Sequence, residues 1–275
     1  MFTRIILFPL FLGGALWGGC QSNTRKQASD PKNVSPNHEL TLVWSDEFDY
    51  EGRPDTARWD YDTGGHGWGN NELQFYTSDP ANAFVKDGKL YITVRKEPHE
   101  NRSYTSARLV TRGKASWQYG KIEVRAKLPA GRGLWPAIWM LGDNIRQVGW
   151  PACGEIDIME HVGFEPDSIF GTIHTEAFNH VRRTHKGGKT FIHNPYNQFH
   201  TYAVEWTPEK MDFLLDGRSY FTVPNTYQTT DEWPFNQPFH LILNIAVGGN
   251  FGGMKGLDES ITNAAMEVDW VRVYQ

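Results

Sequence analysis

Two cysteines in 275 residues are too few for a disulfide framework. One of them, Cys20, closes an N-terminal targeting pattern, and removal or acylation there leaves Cys153 alone, so no intramolecular bridge is expected. Stability must therefore come from a core, and a chain of this length can bury one. Net charge is small, -5, with no block of like charges. The electrostatic footprint of a nucleic-acid binder is missing, and that class is excluded. No amphipathic stretch is long enough for a major helix, and no internal repeat or low-complexity tract occurs beyond the N-terminal region.

Aromatic residues, by contrast, reach 14% and include 11 tryptophans. That is more than a core of this size needs, which points some rings toward a ligand.

The first twenty residues carry Arg4, an apolar run from Ile5 to Trp17, and small Gly18 and Gly19 before Cys20. The run is too short to span a bilayer. The pattern resembles a bacterial lipoprotein signal with Cys20 lipidated, although Trp17 departs from it; a plain secretory signal is the alternative. Either way export is expected, to the cell envelope or beyond, with membrane contact only through a lipid at Cys20. Residues 21–38 are polar, hold two prolines and lack apolar periodicity, as a flexible linker does. The folded domain is expected over 39–275 and as a monomer.

Within it the periodicity is two. Lys121 to Leu128 alternates strictly, and KLYITVRKE, HTYAVEW and MEVDWVRVY behave alike. Turn signals such as Asp87-Gly88, Asp216-Gly217 and Pro129-Ala130-Gly131 separate them. About a dozen short strands predict an all-β antiparallel sandwich of jelly-roll type.

The most informative segment is Gly154-Glu155-Ile156-Asp157-Ile158-Met159-Glu160. Alternation puts Glu155 and Asp157 on one face and the isoleucines in the core. Glu160 then falls out of phase, and burying it unpaired would cost several kcal/mol. A β-bulge at Ile158-Met159 returns it to the acidic face. The two glutamates then lie about 13 Å apart at Cα, from a rise of about 3.3 Å per residue. Side chains leaning inward can bring the carboxyls to about 5 Å, the separation that retaining glycosidases use. The same acids could also be a solvated face or a Ca²⁺ site. Cys153, close to these acids, is read as a small packing residue rather than a thiol nucleophile.

At this strand the chain resembles glycoside hydrolase family 16, whose active-site pattern E-x-D-x-x-E is matched by Glu155, Asp157 and Glu160. The likeness runs from Leu42 to Tyr274. Trp68 to Gln74 (WGNNELQ), Gly133 to Met140 (GLWPAIWM) and Trp150 to Gly154 (WPACG) are similar to bacterial laminarinases, whereas the shorter E-x-D-x-E belongs to lichenases. The resemblance implies Glu155 as nucleophile, Asp157 as its assistant and Glu160 as acid/base. It implies a concave sheet forming an open cleft, a polysaccharide substrate, in the first place an internally cleaved β-1,3-glucan, and no cofactor for chemistry. Galactan hydrolysis and non-catalytic carbohydrate binding are the alternatives.

Trp135 and Trp139 share a strand face, either as core residues or as sugar platforms. Trp150 is similar to a platform on the leaving-group side, and His174 on the following strand could hydrogen-bond that sugar or be structural. Asn71 and Arg108 are candidate contacts to hydroxyls, or a turn residue and an ion-pair partner. His174, His180 and His185, with Arg182, Arg183, Lys186 and Lys189, lie in a segment read as a solvated loop beside the cleft. Facing substrate, its charge would favour an acidic or sulfated polymer. Relatives also carry a structural Ca²⁺ away from the cleft. Its matching positions are Glu47, the Gly88 carbonyl and Asp269, while Asp87-Gly88 could equally be only a hairpin turn.

Overall fold

The computed structural model describes residues 40–275. The proposed signal and linker lie outside the described residues.

Apolar alternation becomes two packed sheets. Gly120–Lys127 shows how: Ile122, Val124 and Ala126 enter the core while the charged residues between them stay partly exposed. One sheet has seven strands, in the spatial order Lys186–Phe191, Ser168–His174, Glu155–Glu160, Leu134–Gly142, Phe239–Val247, Arg108–Val110 and Asp60–Tyr61. The other has ten strands, with Gly120–Lys127 between His200–Trp206 and the C-terminal strand Asn263–Tyr274. Among the described residues all strand pairings are antiparallel except that of Gln74–Tyr76 with Tyr104–Ser106. Seventeen strands form among the described residues where the sequence suggested about a dozen, because segments of two or three residues such as Asp60–Tyr61 and Arg108–Val110 pair at the margins. Too short to show a period, they cannot be read from the sequence. The one helix among the described residues, Ile145–Val148, is a single turn.

A single large cluster of buried side chains lies between the sheets, joining Ile122, Val124 and Val271 of the ten-stranded sheet to Ile138, Ile156 and Leu243 of the other. Trp59, Trp117, Trp206 and Trp233 belong to it. Four more tryptophans, Trp68, Trp135, Trp139 and Trp150, instead line a cleft of about 520 Å³ over the seven-stranded sheet. The surplus of indoles is thus accounted for by a second location.

Candidate active site

The strand Glu155–Glu160 lies between Leu134–Gly142 and Ser168–His174. Against the former, Asp157 pairs with Trp139 and Met159 with Ile138, so Ile158 is an extra residue. Against the latter, Asp157 pairs with Thr172 and Glu160 with Phe170, leaving Ile158 and Met159 opposite Gly171 alone. The bulge falls at the expected dipeptide. Ile158 and Met159 both enter the core, and Glu160 emerges on the face of Glu155 and Asp157. Gly154 sets the approach: its φ is +79°, and a Cβ there would stand 2.8 Å from Pro234 and 3.0 Å from Phe239.

Each glutamate receives one indole. Trp150 Nε1–H donates to Glu155 Oε2 at 2.9 Å, and Trp135 Nε1–H to Glu160 Oε1 at 3.0 Å. Across the strand pair, His174 Nε2 stands 3.7 Å from Glu155 Oε1 and 3.4 Å from Asp157 Oδ2. Burial raises the proton affinity of all three carboxyls, and crowding adds to it at Glu155 and Asp157. Glu155 is pushed up to about 8 by burial first and by the charges of Asp157 and Glu160 next, while His174 and the Trp150 N–H oppose the rise. The three acids therefore titrate as a unit that keeps protons near neutrality.

Beyond the acids the cleft floor is a hydrogen-bonded chain. Trp139 Nε1–H donates to Asn244 Oδ1 at 2.7 Å, Asn244 Nδ2 to Tyr76 Oη at 2.9 Å, and Tyr76 Oη–H to Glu72 Oε2 at 3.2 Å. Gln74 Nε2 reaches the same Glu72 oxygen at 2.6 Å. The Arg108 guanidinium lies 4.6 Å from the Trp68 ring and 4.7 Å from the Trp139 ring, with Asp62 at 3.4 Å from its Nε. These links hold the indole of Trp139 and the plane of Arg108 in fixed orientations.

Glu155, Asp157, Glu160, Trp135, Trp139, Trp150 and Arg108 all line this one cleft. Trp135 and Trp139 are wall residues rather than core. Two expected contacts sit elsewhere. Asn71, at φ +56°, is turned outward and donates to Asn250 Oδ1 at 2.8 Å, leaving its neighbours Asn70 and Glu72 on the wall. His174 is only 6% exposed and faces the carboxylates, not the open cleft. Sequence reasoning missed Trp68, Asp62, Glu72 and Asn244. A signal existed for Asn244, the lone amide in the fully buried strand FHLILNIAV, whereas nothing local marks Asp62.

Lys186 and Lys189 lie in the edge strand Lys186–Phe191 rather than in a solvated loop, and the basic segment does not present its charge to the cleft as a group. Arg182 pairs with Glu176 at 2.6 Å, Lys189 with Glu165 at 2.7 Å, and Lys186 lies over the Phe178 ring. His180 and Val181 are what this segment contributes to the wall.

The expected calcium ligands are differently engaged. Arg272 grips both oxygens of Glu47, at 3.0 and 2.8 Å, and Arg125 pairs with Asp269, which is the bulge residue of its strand. Gly88 closes the hairpin turn between Ala83–Lys86 and Lys89–Arg95. With both carboxylates neutralised by guanidinium groups, this set as placed does not fit a hard dication, which needs free oxygen ligands.

Cys153 is fully buried, and burial raises its thiol to about 12, so it is inert as a nucleophile.

The comparisons agree with this geometry. Residues 67–272 match glycosyl hydrolases family 16. A β-glucanase of Rhodothermus marinus is 55% identical over 255 residues, covering 90% of this chain and 88% of that protein. A glucan endo-1,3-β-glucosidase of Cryptopygus antarcticus is 40% identical over 249 residues, covering 84% and 90%. The crystal structure of the laminarinase from Rhodothermus marinus superposes with a TM-score of 0.83 at 55% identity, over 86% of this chain and 98% of that one. Its E-x-D-x-x-E strand, jelly-roll sandwich and these matches together establish that the chain belongs to glycosyl hydrolases family 16, a family of glycoside-cleaving enzymes.

Proposed function

We propose that the chain is an endo-acting β-1,3-glucanase working by retaining double displacement, with Glu155 as nucleophile and Glu160 as general acid/base. One observation carries this reading: the bulge at Ile158-Met159 sets Glu155 and Glu160 on one cleft face, each oriented by a tryptophan N–H. Relatives that cleave β-1,3-glucan support the substrate.

In the first step the ionised Glu155 attacks the anomeric carbon while Glu160 gives its proton to the departing oxygen. Water then enters, Glu160 takes a proton from it, and the glycosyl–Glu155 ester is cleaved with the original anomeric configuration. Burial raises the affinity of Glu160 for its proton, against the opposing pull of His174 and the Trp135 N–H. At Glu155 the Trp150 N–H and His174, 3.7 Å away, oppose the rise caused by burial and so support the ionised form that attacks. Asp157 stands between, able to share a proton with Glu155 as the ester forms and breaks. Aromatic walls at Trp68, Trp135, Trp139 and Trp150 suit the C–H faces of β-linked glucose. The pairing of Arg182 and Lys189 with acids favours a neutral glucan over a sulfated galactan.

Glu155→Ala and Glu160→Ala should each abolish release of reducing sugar from laminarin with the fold intact by circular dichroism, and the initial product should be the β-anomer by NMR. Full activity in either variant, or α-product, would overturn the mechanism. The N-terminal pattern supports export with lipid on Cys20; Cys20→Ala should then move the protein from the membrane fraction to the soluble one.

A further inference from the structure

Three ligand atoms at the base of the acid cluster stand at distances that suit a metal ion better than hydrogen bonds. His174 Nε2 lies 3.4 Å from Asp157 Oδ2 and 3.7 Å from Glu155 Oε1, and single ligand atoms from these three residues all lie within 4.8 Å of one another. A hydrogen bond between such groups would close to about 2.8 Å. Zinc bonds of about 2.0–2.1 Å in tetrahedral geometry separate neighbouring ligand atoms by about 3.3 Å. The two distances from His174 are near the second figure.

Satisfaction of the groups points the same way. Asp157 is 3% exposed, yet its Oδ2 has no hydrogen-bond partner among the described residues. Such an atom costs on the order of 1–3 kcal/mol unless something fills its lone pairs. His174 is 6% exposed, and Nε2 is the ring nitrogen that faces both carboxylates. Glu155 commits Oε2 to Trp150 and keeps Oε1 on the His174 side.

We propose that Glu155, Asp157 and His174 form a binding site for a borderline transition-metal dication, for which Zn²⁺ is the reference ion, and that its occupancy blocks hydrolysis reversibly. Two carboxylates and one imidazole are a zinc donor set, with a fourth position open to cleft water. Binding displaces the protons the acids hold, which leave to solvent. The site itself stands on geometry. The block rests on the assignment of Glu155 as nucleophile, because the ion occupies the oxygens that must attack.

Isothermal titration of the whole chain with ZnCl₂, and the visible spectrum of added Co²⁺, test it without reference to turnover. Wild type should bind one ion per chain, give a tetrahedral Co²⁺ spectrum, and lose laminarin hydrolysis in step with occupancy, with recovery on EDTA. His174→Gln and Asp157→Asn should each weaken binding by about a hundredfold, since even outer-shell partners of a metal cost 10–100-fold. His185→Ala, whose ring centroid is 5.7 Å from that of His174 on the neighbouring loop, should bind like wild type. Binding that survives His174→Gln but is lost in His185→Ala would move the ion to the loop histidines and overturn the proposal, as would no binding at millimolar Zn²⁺. One ion bound with hydrolysis unaffected would uphold the site and count against Glu155 as nucleophile.

Discussion

Trp150 gives its indole N–H to Glu155 Oε2 at 2.9 Å, and Trp135 does the same for Glu160 Oε1 at 3.0 Å, so each acid is held by its own indole. Trp150→Phe keeps the ring and removes the donor. A hydrogen bond to a charged group contributes about 1.5–3 kcal/mol, and losing it from Glu155 should lower kcat by about 10–100-fold. The acidic limb of the pH–rate profile should move upward, because the anion loses its support. An unmoved limb would mean that Trp150 acts only as a platform.

The acid cluster also sets a pH dependence of stability. Burial, with the charges of Asp157 and Glu160, raises Glu155 from 4.5 to about 8 in the folded state. A group with a raised folded value holds its proton where the unfolded chain releases it. Its stabilising contribution is full below pH 4.5 and is lost as pH climbs toward about 8. Glu155→Gln removes this contribution, so the Tm difference, variant minus wild type, should grow between those limits. A difference flat with pH refutes the account.

Gly154 approaches the catalytic strand at φ +79°, with Pro234 and Phe239 closing the space where a Cβ would go. Gly154→Ala should cost about 1–3 kcal/mol from backbone strain and contact together. At about 2–4 °C per kcal/mol for a domain of this size, calorimetry should show a clear drop in Tm. Activity per folded molecule should fall as well, because Glu155 is the next residue.

Arg108 lies with its guanidinium carbon 4.6 Å from the Trp68 ring and 4.7 Å from the Trp139 ring. Lysine keeps the charge and loses the planar group that two rings can hold. Arg108→Lys should raise KM for laminarin several-fold, by about 1 kcal/mol of lost positioning, with kcat reduced less. Equal loss in kcat and kcat/KM would instead place Arg108 at the transition state.

Much of this was legible in the sequence. Period-two alternation at 121–128 and the phase error at Glu160 sufficed for the sandwich and for the bulge, because a strand has only two faces and a buried unpaired carboxylate is too costly to keep. Tertiary structure decided what alternation cannot reach. It placed Trp135 and Trp139 on the cleft wall, turned Asn71 away while admitting Asn70 and Glu72, and drew Asp62 beside Arg108. It also gave Glu47 to Arg272 and Asp269 to Arg125. These outcomes depend on which strands become neighbours across the sheet and on where long charged side chains find partners, and residues 225 positions apart, such as Glu47 and Arg272, leave no local trace of their pairing.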